Sequence, residues 1–184
     1  QEYLNEARDL ENAKFKIDKI SNYNHEFESR NGFAYLVNSE DAIPINVYMG
    51  VDLAYESGSR HDYQVIMVVG VDSDRNYYII DYFREHFPLY EMPDKIYEYA
   101  KDYSPVKRVN VELVGAQGVI KDAVNKLSGK DRKVMPGVAL GVRPPSGIKK
   151  EDRLESLLCP IVNRGKLYIK RKHTEIVDEM FQFP

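Results

Sequence analysis

Val47-Tyr48-Met49-Gly50-Val51-Asp52-Leu53, Tyr63-Gln64-Val65-Ile66-Met67-Val68-Val69-Gly70-Val71 and Tyr77-Tyr78-Ile79-Ile80-Asp81-Tyr82-Phe83 decide the fold. Each stretch is dense in β-branched and aromatic residues, the composition of strands rather than of helices. Between them lie Glu56-Ser57-Gly58-Ser59 and Asp72-Ser73-Asp74-Arg75-Asn76, both turn-prone. Strand, short loop, strand, short loop, strand predicts an antiparallel three-strand meander.

Downstream the rhythm changes. Pro93, Ile96, Tyr97, Ala100 and Tyr103 have the spacing of a helical face, with Pro93 at its start. Val106–Val114 predicts a fourth strand, Gln117–Leu127 a helix, Val134–Val142 a strand and Lys149–Val162 a helix. Leu167–Lys170 predicts a brief strand, and Thr174–Phe181 a last helix capped by Thr174. The order βββ-α-β-α-β-α predicts a mixed α/β sheet, with right-handed crossovers that cover both faces with helices. Upstream, Leu4, Ala7, Leu10, Ala13 (or Lys14), Ile17 and Ile20 recur about every third residue, which predicts one helix over residues 1–20. Residues 21–45 predict an irregular approach segment, with Pro44 ahead of the first core strand rather than inside it.

The chain has 184 residues, 43% of them apolar, enough for one compact domain with a real core. One cysteine, Cys159, excludes a disulfide framework and a cysteine-based zinc cluster, and fits a reducing compartment. No apolar run reaches the roughly 18–20 residues that span a bilayer, and no secretory signal opens the chain. An opening Gln1 predicts a piece of a longer protein. The net charge of −3 hides a division: residues 1–104 carry 10 basic and 20 acidic side chains, whereas residues 105–172 carry 16 basic and 6 acidic ones. Such asymmetry points either to a polyanionic partner and a cation-binding acidic cluster, or to two solvated faces.

Two acids sit where acids are costly. Asp52 ends a strongly apolar strand, and Glu112 lies inside Lys107-Arg108-Val109-Asn110-Val111-Glu112-Leu113-Val114. A carboxylate in such surroundings needs a partner, a hydrogen bond or a cation. Asp52 could instead cap the loop that follows it. Period-2 alternation puts Asn110 and Glu112 on one face. If the first and fourth strands are neighbours, Asp52 and Glu112 converge, and two such acids suit hard divalent cations. Asp62 begins the second strand and is returned toward Asp52 by the hairpin, as a third ligand or as a solvated loop end. Asp72, Asp74 and Asp81 read as turn or strand residues without a catalytic part. Phosphodiester cleavage needs an activated water and a stabilised leaving oxygen, which two metal ions about 3.5–4 Å apart supply. Basic side chains outside the cluster would hold phosphates.

Several ordered motifs resemble the C-terminal nuclease domain of the large terminase subunit of tailed double-stranded DNA phages, in the ribonuclease-H-like superfamily. They are Met49-Gly50-Val51-Asp52-Leu53-Ala54, His61-Asp62-Tyr63, Tyr77-Tyr78-Ile79-Ile80-Asp81-Tyr82 and Val111-Glu112-Leu113-Val114-Gly115-Ala116-Gln117. Lys150-Glu151-Asp152-Arg153-Leu154, Gly165-Lys166-Leu167-Tyr168 and Glu179-Met180-Phe181-Gln182-Phe183-Pro184 complete the set. The resemblance implies a nuclease domain over residues 46–184, with residues 1–45 as the approach from an absent ATPase domain. It implies Asp52, Glu112 and Asp62 as catalytic ligands of Mg²⁺ or Mn²⁺. It further implies a metal-dependent endonuclease cutting concatemeric double-stranded viral DNA in the host cytoplasm. The implied partners are the motor domain, the small terminase subunit and the portal protein, with no membrane. Lys150 and Arg153 match the family's Lys-x-x-Arg pair. Lys149, Lys150, Arg153, Arg164, Lys166 and Arg171 are the candidate DNA contacts, and they would give little base specificity.

Two departures bear on this reading. The family's further Asp follows the Phe-Pro segment, at which this sequence stops, and no Gly-x-x-x-x-Gly-Lys-[Ser/Thr] motif for a P-loop occurs. Another ribonuclease-H-like nuclease (a junction resolvase or transposase core) and a catalytically silent DNA-binding or portal-docking module are the competing expectations.

Overall fold

The computed structural model describes residues 14–53, 63–112, 118–128, 139–142 and 146–181. Within them the three predicted strands are β4 (Ala42–Asp52), β5 (Gln64–Val71) and β6 (Tyr77–Glu85), and they pair antiparallel in sequence. Helix α1 (Met92–Asp102) then returns the chain to β7 (Val106–Glu112), which pairs parallel with the other edge of β4. Helix α2 (Gly118–Ser128) leads on to β8 (Ala139–Val142), parallel to β7. The run β6-β5-β4-β7-β8 thus puts the first and fourth strands of the predicted series side by side, the ribonuclease-H-like arrangement. Helix α3 (Lys150–Asn163), strand β9 (Leu167–Lys170) and helix α4 (Thr174–Phe181) complete the chain, with β9 parallel to β6.

Alternation along β4 explains the layering. Val47, Met49 and Val51 are buried on one face, while Gly50 and Asp52 on the other are exposed. The buried face joins Ile66 and Val68 of β5 and Val109 and Val111 of β7 under Met92, Ile96 and Ala100 of α1 and Ile120 and Val124 of α2. The opposite face packs a smaller cluster, in which Ile79, Leu167 and Ile169 meet Val162 of α3, with Ile176, Val177 and Met180 of α4 at its margin. Helices therefore cover both faces, as expected. Among the described residues no helix is long and apolar enough to cross a membrane.

The N-terminal quarter differs from expectation. Residues 1–13 lie outside the described residues, but Ile17–Lys19 form only a 3-10 turn, and Ile20 is extended. The cause is tertiary. Asn163 Oδ1 accepts a hydrogen bond from the Lys16 amide at 3.0 Å, and Phe15, Ile17 and Ile20 join the smaller cluster. Nor are residues 21–45 irregular. β1 (Ser21–Tyr23) pairs parallel with β9, and β2 (Glu26–Arg30) forms a hairpin with β3 (Phe33–Val37). The hairpin turn is Asn31-Gly32, with φ of 52° and 79°, a two-residue turn of the primed type that Asn-Gly favours. Pro44 lies inside β4, opposite Tyr35 of β3, in the part of β4 that pairs with β3 alone. Its missing N–H costs no ladder bond on the free side.

One irregularity matters for function. Val69 of β5 pairs with Ile79 but Val68 pairs with Asp81, so Ile80 is an extra residue in β6. Beyond this bulge every side chain of β6 changes face relative to the unbroken register. Asp81 goes to the α1 side, where it accepts a hydrogen bond from the Tyr103 hydroxyl at 2.5 Å. Tyr82 and Arg84 go to the α3/α4 side, opposite Met67 and Val65.

Candidate active site

Parallel register brings the two costly acids together. Gly50 lies beside Asn110 and Val51 beside Val111, so one step further Asp52 and Glu112 are neighbours on strands about 4.8 Å apart. Both face the α3/α4 side at the C-terminal ends of their strands. Val65 flanks Asp52 on the β5 side, and Val142 flanks Glu112 on the β8 side.

These residues line a hollow of about 410 Å³ with Gly50, Val51, Met67, Asn110 and Arg153. Gly50 keeps its floor low, since a Cβ built there would meet nothing within 4 Å. A strand glycine often marks the place where a ligand approaches the backbone closely. Val65 and Met67 form an apolar wall that confines the polar groups to the β4–β7 edge.

Arg153 closes the hollow from above. Lys149 is extended, its carbonyl accepts from the Arg153 amide at 3.2 Å, and the first turn of α3 thereby carries the guanidinium over β7. Arg153 Nη2 lies 3.6 Å from Glu112 Oε1, with each side chain about a quarter exposed. Arg153 Nε is buried without a hydrogen-bond partner among the described residues. An unpaired buried donor is costly, so this atom is suited to an acceptor entering the hollow.

The donor set fits a hard divalent cation. Two carboxylates and the Asn110 amide oxygen are oxygen ligands of the type Mg²⁺ and Mn²⁺ take. A cationic side chain is already drawn to Glu112. Among the described residues no three His, Cys, Asp or Glu side chains cluster tightly enough to hold a metal on their own. Asp62, the expected third ligand, lies outside the described residues.

The six basic candidates divide. Exposed Lys149 precedes α3, Lys150 opens it, and Arg153 reaches the hollow. Arg164 follows the far end of α3, roughly 16 Å from Arg153 at 1.5 Å per residue. Lys166 is held at that far end, where its Nζ donates to Asn76 Oδ1 at 3.0 Å and to the Asp74 carbonyl at 3.3 Å. Arg171 lines a separate hollow with Asn22, Tyr23 and Asn24. Among the described residues, Arg153 is the one of the six that lines the hollow with the acids. Asp72 has a structural part: it accepts from the amides of Asp74 and Asn76, from Asn76 Nδ2 and from the Tyr78 hydroxyl. Against a burial that would raise it, these bonds hold its carboxyl below the usual range.

Sequence reasoning missed the apolar wall of Val65 and Met67 and the ion pair from Arg153 to Glu112. The glycine two residues before Asp52 was the available signal for the hollow.

Comparison with solved structures agrees with this architecture. The large terminase nuclease from thermophilic phage G20c superposes with a TM-score of 0.56 at 16% identity, covering 91% of this chain and 79% of that one. The P22 large terminase nuclease domain gives a TM-score of 0.53 at 13% identity, covering 90% and 74%. The chain therefore shares the ribonuclease-H-like fold of large terminase nucleases. No family model matches the sequence, and no curated protein matches it.

Proposed function

We propose that this chain is a terminase nuclease domain, a metal-dependent endonuclease that hydrolyses phosphodiester bonds of concatemeric double-stranded viral DNA in the infected cell. The observation that carries the reading is the side-by-side register of Asp52 and Glu112 at the open end of this fold. The motor domain, the small terminase subunit and the portal protein are the partners this reading brings with it.

Asp52 and Glu112 would hold Mg²⁺ or Mn²⁺, with Asp62 as the further proposed ligand. Bound there, the ion supplies a water activated for attack and charge stabilisation of the leaving oxygen. The chain's own residues do the rest. The open floor at Gly50 admits a phosphate close to the backbone. The Val65 and Met67 wall limits water on one side, which strengthens the electrostatics of the site. Arg153 Nε and its guanidinium offer directed donors to a non-bridging phosphate oxygen, and Glu112 holds that guanidinium in place. Lys149 and Lys150, at the start of the same helix, add a sequence-independent attraction for the backbone.

The test is cleavage of a supercoiled plasmid in Mg²⁺, Mn²⁺ or chelator. The wild-type protein extended past Pro184 is expected to nick and linearise it with metal only, and Asp52→Asn and Glu112→Gln to lose that activity while melting cooperatively. Undiminished cleavage by either variant refutes the assignment. Preference for a four-way junction or an RNA–DNA hybrid over duplex would move the reading to a resolvase-type or hybrid nuclease. DNA binding without cleavage would favour a silent binding module.

A further inference from the structure

The face that carries the carboxylates bears a second cluster, which the site described above leaves unused. The bulge in β6 sets Arg84 opposite Val65, and Val65 lies opposite Asp52. Arg84, Val65 and Asp52 thus form one cross-strand row, and two spacings of about 4.8 Å put Arg84 about 10 Å from Asp52. Gln64 pairs with Glu85, so Tyr63 and His86 come next to each other just beyond, on the same face as Val65 and Arg84.

The three side chains are stacked. Arg84 Cζ lies 4.1 Å from the centroid of the Tyr63 ring. The His86 ring stacks on Tyr63 with centroids 4.2 Å apart and planes at 26°. Two groups this near one centroid cannot share a face of the ring, so Tyr63 is sandwiched between them. Arg84 Nη2 is also 2.9 Å from Glu179 Oε1 of α4, yet its side chain remains 41% exposed. The side chain is therefore ordered before any ligand arrives, while two-fifths of it stays open to solvent. Pre-ordering lowers the entropic cost of binding, and a planar guanidinium matches phosphate geometry.

We propose that Arg84, held by Tyr63 with His86 on the far side of the ring, is a phosphate clamp for duplex DNA crossing the Asp52–Glu112 hollow. An offset of about 10 Å keeps the clamped phosphate distinct from the one at the acids. The clamp rests on the nuclease reading and adds a second backbone contact to it. Glu179 competes with the phosphate for Arg84, so loss of its charge frees the clamp rather than disabling it.

The experiment is fluorescence anisotropy of a fluorescein-labelled 30-base-pair duplex with the full chain in chelator, from 50 to 200 mM NaCl. Arg84→Gln is expected to weaken binding and to flatten the slope of log affinity against log salt by about 0.9. The advantage of wild type over the variant then shrinks about threefold across that salt range. Tyr63→Leu should reproduce part of the loss, and Tyr63→Phe, which keeps the ring, should not. Glu179→Gln separates contact from scaffold, because it breaks the same ion pair but should bind as tightly as wild type or tighter. If Glu179→Gln weakens binding as Arg84→Gln does, Arg84 merely anchors α4 and the clamp is refuted. If wild type binds with a steep salt dependence that Arg84→Gln leaves unchanged, the clamp falls and the nuclease reading stands. A wild-type chain without salt-dependent binding removes both.

Discussion

Replacing Glu112 by Gln should separate metal binding from folding. Asp52 and Glu112 stand 60 residues apart in the sequence and meet only through the β4–β7 register, so an ion they share binds the folded chain and not the unfolded one. At an ion concentration ten times its dissociation constant, linkage stabilises the fold by about 1.4 kcal/mol. For a domain of this size that raises the melting temperature by about 3–6 °C. Glu112→Gln removes one of the two carboxylates and should reduce this shift to under about 1 °C. In chelator the same variant loses the contact of Glu112 with Arg153 Nη2 at 3.6 Å. A gross attraction of about 4–5 kcal/mol at an effective dielectric constant near 20 is largely offset by desolvation. Because both groups are about a quarter exposed, about 1 kcal/mol remains, or 2–4 °C. The assay is a pair of thermal melts at equal ionic strength, one in chelator and one in Mn²⁺. The variant should melt lower than wild type without metal and gain nothing with it. A wild-type metal shift retained by Glu112→Gln would refute the reasoning.

Two further outcomes follow from the packing. Burial holds the His173 imidazole below its usual range, against the opposing contacts with the Ile80 carbonyl and Asp81. The folded chain then binds fewer protons than the unfolded one, so this contribution to stability is present above about pH 6.5 and lost as pH falls toward the folded value. Melts at pH 7.5 and 5.5 should show a smaller acid penalty for His173→Gln than for wild type, and equal penalties would count against it. Tyr103→Phe removes the hydroxyl that donates to Asp81 at 2.5 Å and leaves a part-buried carboxylate short of a donor. The expected cost is about 1.5–3 kcal/mol, read as a lower urea midpoint at unchanged m; a loss under 0.5 kcal/mol would mean that water replaces the hydroxyl.

The legible parts of this protein were those with local causes. Runs such as Gln64–Val71 carry their strand character in their own composition, and α1, α3 and α4 lie within a few residues of their predicted bounds. The suspicion attached to Asp52 and Glu112 was also local, since each is a charge in an apolar strand. Over residues 14–20 the helical reading gave way for the complementary reason. Phe15, Ile17 and Ile20 pack into a cluster built by distant elements, and Asn163, far along the chain, captures the Lys16 amide. Asn31-Gly32 is the exception, a local hairpin signal inside a stretch whose mixed composition otherwise reads as irregular.

By itself the sequence determined a mixed α/β fold with an antiparallel meander, two acids set in apolar strands, and a basic second half. Only the tertiary structure decided which charged groups share a face. Side chains alternate along a strand, so one extra residue, Ile80, moves Asp81 to the α1 side and turns Arg84 toward Asp52. The β4–β7 register likewise sets Asp52 beside Glu112, and the direction of α3 sends Arg153 to the acids but leaves Lys166 at the far end. Register and crossover arise between segments distant in sequence, which is why composition and periodicity do not carry them.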